Sequence, residues 1–212
     1  MLLSQYRVGV RRLVNDAQSN YWTDPELNDY INEARRKTAV DTLCVRSFQE
    51  ADLIPGQERY QYTDLLPNGQ NTIDIINVTL IWGATRVPMR YHPYTIFSAY
   101  FRPWTGYRQL PAAFTTYNAT TFWLAPIPDQ PYHAEFDTGI IPADLASDNS
   151  VDPIPIPYSE AVKYYAARLA RLKLQQYTEA EAQMKMYTNR IAELNAQWAR
   201  HIPYVFSTEE LY

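Results

Sequence analysis

Apolar residues recur at helical spacing in four stretches, two near the start of the chain and two near its end. Leu3, Tyr6, Val10, Leu13 and Ala17 step three and four residues apart and predict a helix over residues 2–18. Leu27, Tyr30, Ile31, Ala34 and Thr38 predict a second helix, reaching to about Leu43. Thr23-Asp-Pro-Glu26 reads as its capping box, with Pro25 tolerated in the first turn because no donor is lost there. Near the other end, Val162, Tyr165, Leu169 and Leu172 form one stripe, and Met184, Tyr187, Ile191, Leu194 and Trp198 form another. Thr178-x-x-Glu181 lies between the stripes and reads as a capping box that restarts the helix. Residues 158–200 are therefore expected to form an antiparallel helical hairpin with arms of roughly 30 Å. Gly9 costs about 1 kcal/mol relative to Ala inside a helix and is expected to mark a close contact.

Between Phe48 and Ile141 the helical period disappears. Pro55-Gly56 and Pro67-Asn-Gly69 are turn signals. Thr72–Trp82 is β-branched and bounded by glycines, which predicts a strand. Thr85–Arg90 is expected to be its antiparallel neighbour, with Pro88 placing it at a sheet edge. Ala113–Tyr117 and Thr121–Ala125 flank a hairpin turn, and Tyr132–Thr138 alternates and is expected to pair with the strand before it. The expected fold is α+β and mainly helical. It is a four-helix bundle carrying an inserted small antiparallel β region of four to six strands and an extended C-terminal tail. The expected organisation is 1–45 with 157–200 as one helical domain, 46–156 as the β-rich insertion, and 201–212 as a docking tail.

Two apolar stretches stand outside this core. Tyr94–Phe101 is expected to make one or two helical turns that lead into the proline-broken loop Arg102–Arg108. Tyr94, Phe97, Tyr100, Phe101, Trp104 and Tyr107 make this segment a candidate contact loop, too apolar to float freely; covering its own sheet is the safer expectation. After Pro203 ends the last helix, Ile202, Pro203, Tyr204, Val205, Phe206, Leu211 and Tyr212 give the tail its apolar anchors.

Composition narrows the function. Apolar residues make up 46% of the 212, enough to bury a core and to disfavour wholesale disorder. Of the aromatics, 18 are Tyr, a residue suited to interfaces because it couples stiff apolar area to a polar handle. The net charge of −4, with both signs well mixed, disfavours a strongly basic nucleic-acid binder. Cys44 is the single cysteine, so no internal disulfide forms. The start of the chain lacks the layout of a signal peptide, and no apolar run is long enough to span a bilayer, so a soluble protein made in a cytoplasm is expected. His92, His133 and His201 have no partners at metal-ligand spacing. No phosphate-cradling or nucleophile-elbow motif appears, and no cofactor is expected. Asp74, Glu135 and Asp137 sit on predicted strands, where single surface charges are the ordinary reading.

The order of elements carries particular words with it: Tyr21–Arg36 (YWTDPELNDYINEARR), Pro55–Tyr60 (PGQERY), Trp123–Tyr132 (WLAPIPDQPY) and Ile156–Ala167 (IPYSEAVKYYAA). Together these resemble the head-to-tail adaptor, or head-completion, proteins of tailed bacteriophages over roughly residues 2–195. The resemblance implies a structural virion protein at the head–tail junction, assembled in the host cytoplasm and without enzymatic activity. It implies a ring of identical subunits, typically twelve, beneath the portal protein. Such a ring extends the DNA channel, passes genomic DNA without sequence-specific binding, and offers a surface to tail or nozzle proteins, with no membrane contact. It also implies that the C-terminal segment, here Ile202–Phe206 with Leu211 and Tyr212, reaches onto the portal. The alternative reading is a carbohydrate-binding or tail-fibre-associated module, motivated by Trp82, Trp104 and Trp123. A muralytic hydrolase would need two carboxylates about 5–9.5 Å apart in a cleft.

Overall fold

The computed structural model describes residues 1–101 and 106–199. Trp104, and all the tail residues named above, lie outside the described residues. The chain divides into two compact units. One comprises Met1–Thr42 and the segment from Ala143 onward; the other is Leu43–Pro142.

The first unit holds helices α1 (Leu3–Leu13), α2 (Asp24–Thr42), α5 (Ser159–Lys173) and α6 (Tyr177–Ala199). The helices gather on α5, which packs against α6, α2 and α1. Its buried row is Ala161, Val162, Ala166, Ala167 and Ala170, while Tyr165, Leu169 and Leu172 are only half-buried. Small side chains let neighbouring helices approach closely, so α5 contributes its alanines where the periodicity pointed to its large residues. Gly9 belongs to the same contact, since a Cβ there would meet Lys163 Cδ at 2.6 Å.

The first helix ends at Leu13, short of the expected residue 18. Asn15 turns into the left-handed region, and Asp16 draws the following backbone onto its own carboxylate. Asp16 Oδ1 accepts from Asn20 N at 2.7 Å and Oδ2 accepts from Arg11 Nη1 at 2.8 Å. Such short-range side-chain bonds compete with the helical ladder. The turn between α5 and α6 likewise differs from expectation. The helix has already restarted at Tyr177, so Thr178 and Glu181 lie inside it. The break is made by Gln175 at φ 57°, and Arg171 Nη1 holds Gln176 Oε1 at 2.6 Å. The Glu26 carboxyl of the first expected capping box is held below its usual range chiefly by Lys173.

At the centre of this unit lies an ion pair hidden from the sequence. Arg35 and Asp152 both have side chains with 0% exposure, and Nη2 meets Oδ1 at 2.9 Å. Arg35 Nη1 also donates to Asn32 Oδ1 and to the Ala143 carbonyl, each at 3.0 Å. Asp152 Oδ2 accepts from the Tyr6 hydroxyl at 2.6 Å. Residues 143–156 are thus tied to α1 and α2, and a bridge between Leu2 and Val151 adds to the attachment.

The second unit overturns the expectation of a mainly helical protein. The chain is α+β with 43% helix and 27% strand, so sheet is a principal component and the fold is not a four-helix bundle with a small insertion. Among the described residues there are eight strands: β1 (Arg46–Leu53), β2 (Arg59–Gln61), β3 (Thr72–Trp82), β4 (Thr85–Pro88), β5 (Arg90–Tyr91), β6 (Ala113–Asn118), β7 (Thr121–Ala125) and β8 (Tyr132–Ile140). Two short helices, α3 (Tyr62–Leu65) and α4 (Tyr94–Tyr100), are set between them. One sheet has the order β1-β8-β3-β4 and the other β2-β7-β6-β5. The inner faces share a core that includes Leu53, Val78, Leu80 and Phe136 from the first sheet, and Tyr60, Phe114, Phe122 and Leu124 from the second. This is sheet-on-sheet packing, in which alternate residues of every strand face the partner sheet.

The expected β6–β7 hairpin is present, and β4 pairs with β3 at an edge, where Pro88 does no harm to the ladder. The strand at Tyr132, however, does not pair with the one before it. β8 lies between β1 and β3 in the other sheet. Its Tyr132, Ala134 and Phe136 thereby face the shared core, with Phe136 5.6 Å from the Phe122 ring of the opposite sheet.

Buried phenols make the fold sensitive to alkali. Burial pushes Tyr60 up to about 12, and Tyr62 and Tyr187 move in the same direction for the same reason. An unfolded tyrosine ionises near pH 10. Below that value neither state is ionised; above it the unfolded chain releases protons that the folded chain retains. Stability is therefore expected to be level up to about pH 10 and to fall as the pH rises towards about 12. Denaturant midpoints measured alongside phenolate absorbance test this, and a flat profile through that window would show that the phenols are reached by water.

Candidate functional site

The outer face of the second sheet carries the aromatic segment. Along β6 and β7, Phe114, Phe122 and Leu124 point into the core, so Ala113, Tyr117, Trp123 and Ala125 point the other way. Helix α4 lies over this outer face. Phe97 is completely buried against Ala113 and Ala125, whose small side chains leave room for its ring, and Phe101 and Trp123 close the sides. Phe97 is therefore engaged by the protein's own sheet.

Around that anchor the rings meet edge to face. Tyr94 lies 4.5 Å from Tyr117 and 5.9 Å from Trp123, and Tyr117 lies 6.3 Å from Trp123. Phe101 sits 5.5 Å from Phe97 and 5.3 Å from His92, and Arg59 Cζ is 5.8 Å from the Trp123 ring centre. Such pairs fix the geometry of aromatic side chains beyond the effect of their burial. The result is a stiff platform with exposed residues upon it. Tyr100 is 70% exposed, and Ile96, four residues earlier, shares its side of α4. Tyr107 and Tyr117 are also exposed. Of the candidate loop residues, the structure thus gathers Tyr94, Phe97 and Phe101 into one packed group and leaves Tyr100 and Tyr107 facing outward. Ile96 and Tyr117 were missed. The alternation of β6 carries the signal for Tyr117, because Phe114 and Tyr117 are three residues apart and so fall on opposite faces.

The outer face of the first sheet is chemically different. Phe48, Glu50 and Asp52 on β1 stand opposite Asp137, Glu135 and His133 on β8. Arg86 holds Glu135 through both carboxylate oxygens at 2.7 and 2.8 Å. Arg46 faces Asp137 at 3.5 Å, and His133 sits between Asp52 at 2.7 Å and Glu50 at 3.4 Å. The Asp52 hydrogen bond, ahead of Glu50, raises the His133 imidazole above its usual range. Burial raises the Asp137 carboxyl, and Arg46 partly offsets this. Glu135 and Asp137 are thus paired with Arg86 and Arg46, whereas Asp74 on β3 accepts from the Ile75 N–H at 2.9 Å and burial raises its carboxyl. Among the described residues, no group of His, Cys, Asp and Glu could hold a metal ion, and no helix is long and apolar enough to cross a membrane.

The two outer faces thus differ in kind: packed aromatic residues with exposed tyrosines on one sheet, and a charged, cross-paired face on the other. The chain belongs to the SU10 adaptor protein family, whose sequence profile matches residues 1–205. No curated protein gives a significant match. Membership gives the chain a structural role as a phage adaptor and makes other head or tail proteins its partners.

Proposed function

We propose that the protein forms a ring adaptor between portal and tail, twelve copies around an extended DNA channel. The observation that carries this reading is the exposed aromatic platform of α4 and β6 in a chain of the adaptor family. A ring subunit must bury surface against a neighbour on each side. Stiff, half-exposed aromatics meet that need at low entropic cost, because a tyrosine has few rotors to freeze. Tyr100, Tyr107 and Ile96 are proposed to contact a neighbouring subunit or a tail protein. Ile202–Phe206, Leu211 and Tyr212 are proposed to bind the portal. The acidic balance of the chain suits a channel wall that must not grip DNA.

Co-expression with the cognate portal tests this. A ring on the portal is expected by electron microscopy, and a monomer that the portal never recruits would end the proposal. The double variant Ile96→Glu, Tyr100→Glu is expected to fold normally, since both side chains are exposed, yet to lose ring formation at least tenfold in concentration dependence, roughly 1.4 kcal/mol. Assembly equal to that of the parent protein would remove the platform from the interface. For the sugar-binding alternative the tryptophans divide: Trp123 packs against Tyr94 and Tyr117, whereas Trp82 is 50% exposed beside Tyr132.

A further inference from the structure

Among the described residues the two sheets end in the edge strands β1, β4, β2 and β5. Three of these edges are protected. β2 and β5 have three and two residues, and β4 has four, of which Pro88 has no N–H to give. β1 is different. It has eight residues, no proline, and an unbroken register with β8 from Arg46 to Leu53, so no bulge bends it away. Ile140 N donates to the Val45 carbonyl at 2.9 Å, just before that register begins. Hydrogen-bonded positions alternate along an antiparallel pair, so Ser47, Gln49, Ala51 and Leu53 direct their backbone bonds to β8. The N–H and C=O groups of Arg46, Phe48, Glu50 and Asp52 therefore face the open edge. The side chains of these same residues stand on the outer face, and Phe48 is 71% exposed.

We propose that β1 is the contact between two copies of this chain, paired antiparallel across a two-fold axis at Phe48. The residues of the edge favour this occupant. With the axis there, position 46 of one chain stands opposite position 50 of the other. Arg46 meets the partner's Glu50, the partner's Arg46 meets Glu50, and the two Phe48 rings lie side by side. Both charges are open to such a contact. Arg46 lies 3.5 Å from Asp137 and Glu50 lies 3.4 Å from His133, and their side chains are 53% and 61% exposed. Other registers are disfavoured. Moving the axis two residues to either side sets Arg46 against Arg46 or Glu50 against Glu50, like charges directly opposite. Moving it one residue sets Phe48 against Arg46 or against Glu50, and the aromatic pair is lost. The strands of the two chains form one continuous sheet, β4-β3-β8-β1 followed by its repeat in reverse. A two-fold pair closes on itself and recruits no further copy, so it does not rest on the ring reading. It is the form in which a free subunit covers its open edge before assembly.

Charge reversal on the full chain, followed by sedimentation velocity in the absence of a portal, is the experiment. The parent protein is expected to pass from monomer to dimer as its concentration rises. Arg46→Glu and Glu50→Arg are each expected to weaken the dimer at least tenfold, because each sets like charges opposite one another on both sides of the axis. An equal mixture of the two single variants should recover it as a heterodimer, since each chain then offers the other its complement. The double variant Arg46→Glu, Glu50→Arg should recover it alone. All these side chains are exposed, so melting temperatures taken at a dilution where the parent is monomeric should agree. A parent that stays monomeric up to its solubility limit would overturn the proposal. So would single variants that dimerise like the parent, or a mixture that fails to recover the dimer. The ring is read separately, on the portal, and neither result decides the other.

Discussion

Replacing Arg35 by alanine is expected to lower the stability of the helical unit by about 3–5 kcal/mol, because it strands the Asp152 carboxylate without its cation. Both side chains have 0% exposure, so water cannot take over the missing bonds. The loss should appear as a fall in melting temperature on the order of 10 °C. Asp152→Ala is expected to do comparable damage by stranding the guanidinium, and by removing the acceptor of the Tyr6 hydroxyl and the Ile154 N–H. The double variant Arg35→Met, Asp152→Leu should be milder than either single change, since neither charge is left buried alone. The resulting double-mutant cycle measures the coupling directly. A loss below about 1 kcal/mol for Arg35→Ala would place the pair with ordinary surface salt bridges and remove it from the core.

In the β unit, Phe122→Ala is expected to cost about 3–5 kcal/mol, the range for deleting a buried aromatic ring. Phe122 is fully buried, stacks on Tyr60 at 5.3 Å and 17°, and touches Tyr62 and Phe136. Its ring joins the two sheets, so the cavity cannot be closed by one strand relaxing alone. Phe48→Ala is the matched comparison. The same residue type on the outer face of β1 is 71% exposed, and its removal should change stability by no more than about 0.5 kcal/mol. Amide exchange along β7 and β8 reads both outcomes. Similar losses for the two variants would mean that the inner and outer faces have been exchanged.

That contrast also explains where sequence reasoning failed. On β1 the inward residues are Ser47, Gln49, Ala51 and Leu53, and the most apolar residue, Phe48, points outward. The strand shows no apolar alternation, because its buried Gln49 is satisfied by polar neighbours. Gln49 Nε2 donates to Thr138 Oγ1 at 2.7 Å, and its Oε1 accepts from Asn68 N at 2.8 Å. β2 and β5 have three and two residues, too few to display any period. With three strands unseen, the remainder looked like a small insertion. The aromatic platform was half legible. The crowding of rings in 94–107 was plain, but which of them faced inward depended on Ala113 and Ala125, small residues that carry no signal by themselves.

The sequence by itself determined the four long helices to within a few residues, apart from the early end of α1. It also determined the β3, β6, β7 and β8 strands, the β6–β7 turn and the edge position of Pro88, because each follows from a period or a turn residue acting within a dozen positions. It also carried the match to the adaptor family over residues 1–205. The tertiary structure alone decided that β8 crosses into the first sheet, that α5 packs through its alanines, that Arg35 finds Asp152 more than a hundred residues away, and that Phe97 faces in while Tyr100 faces out. Those outcomes depend on which distant surfaces meet. Burial of an ion pair or a ring is set by its neighbours in space, which no local pattern contains.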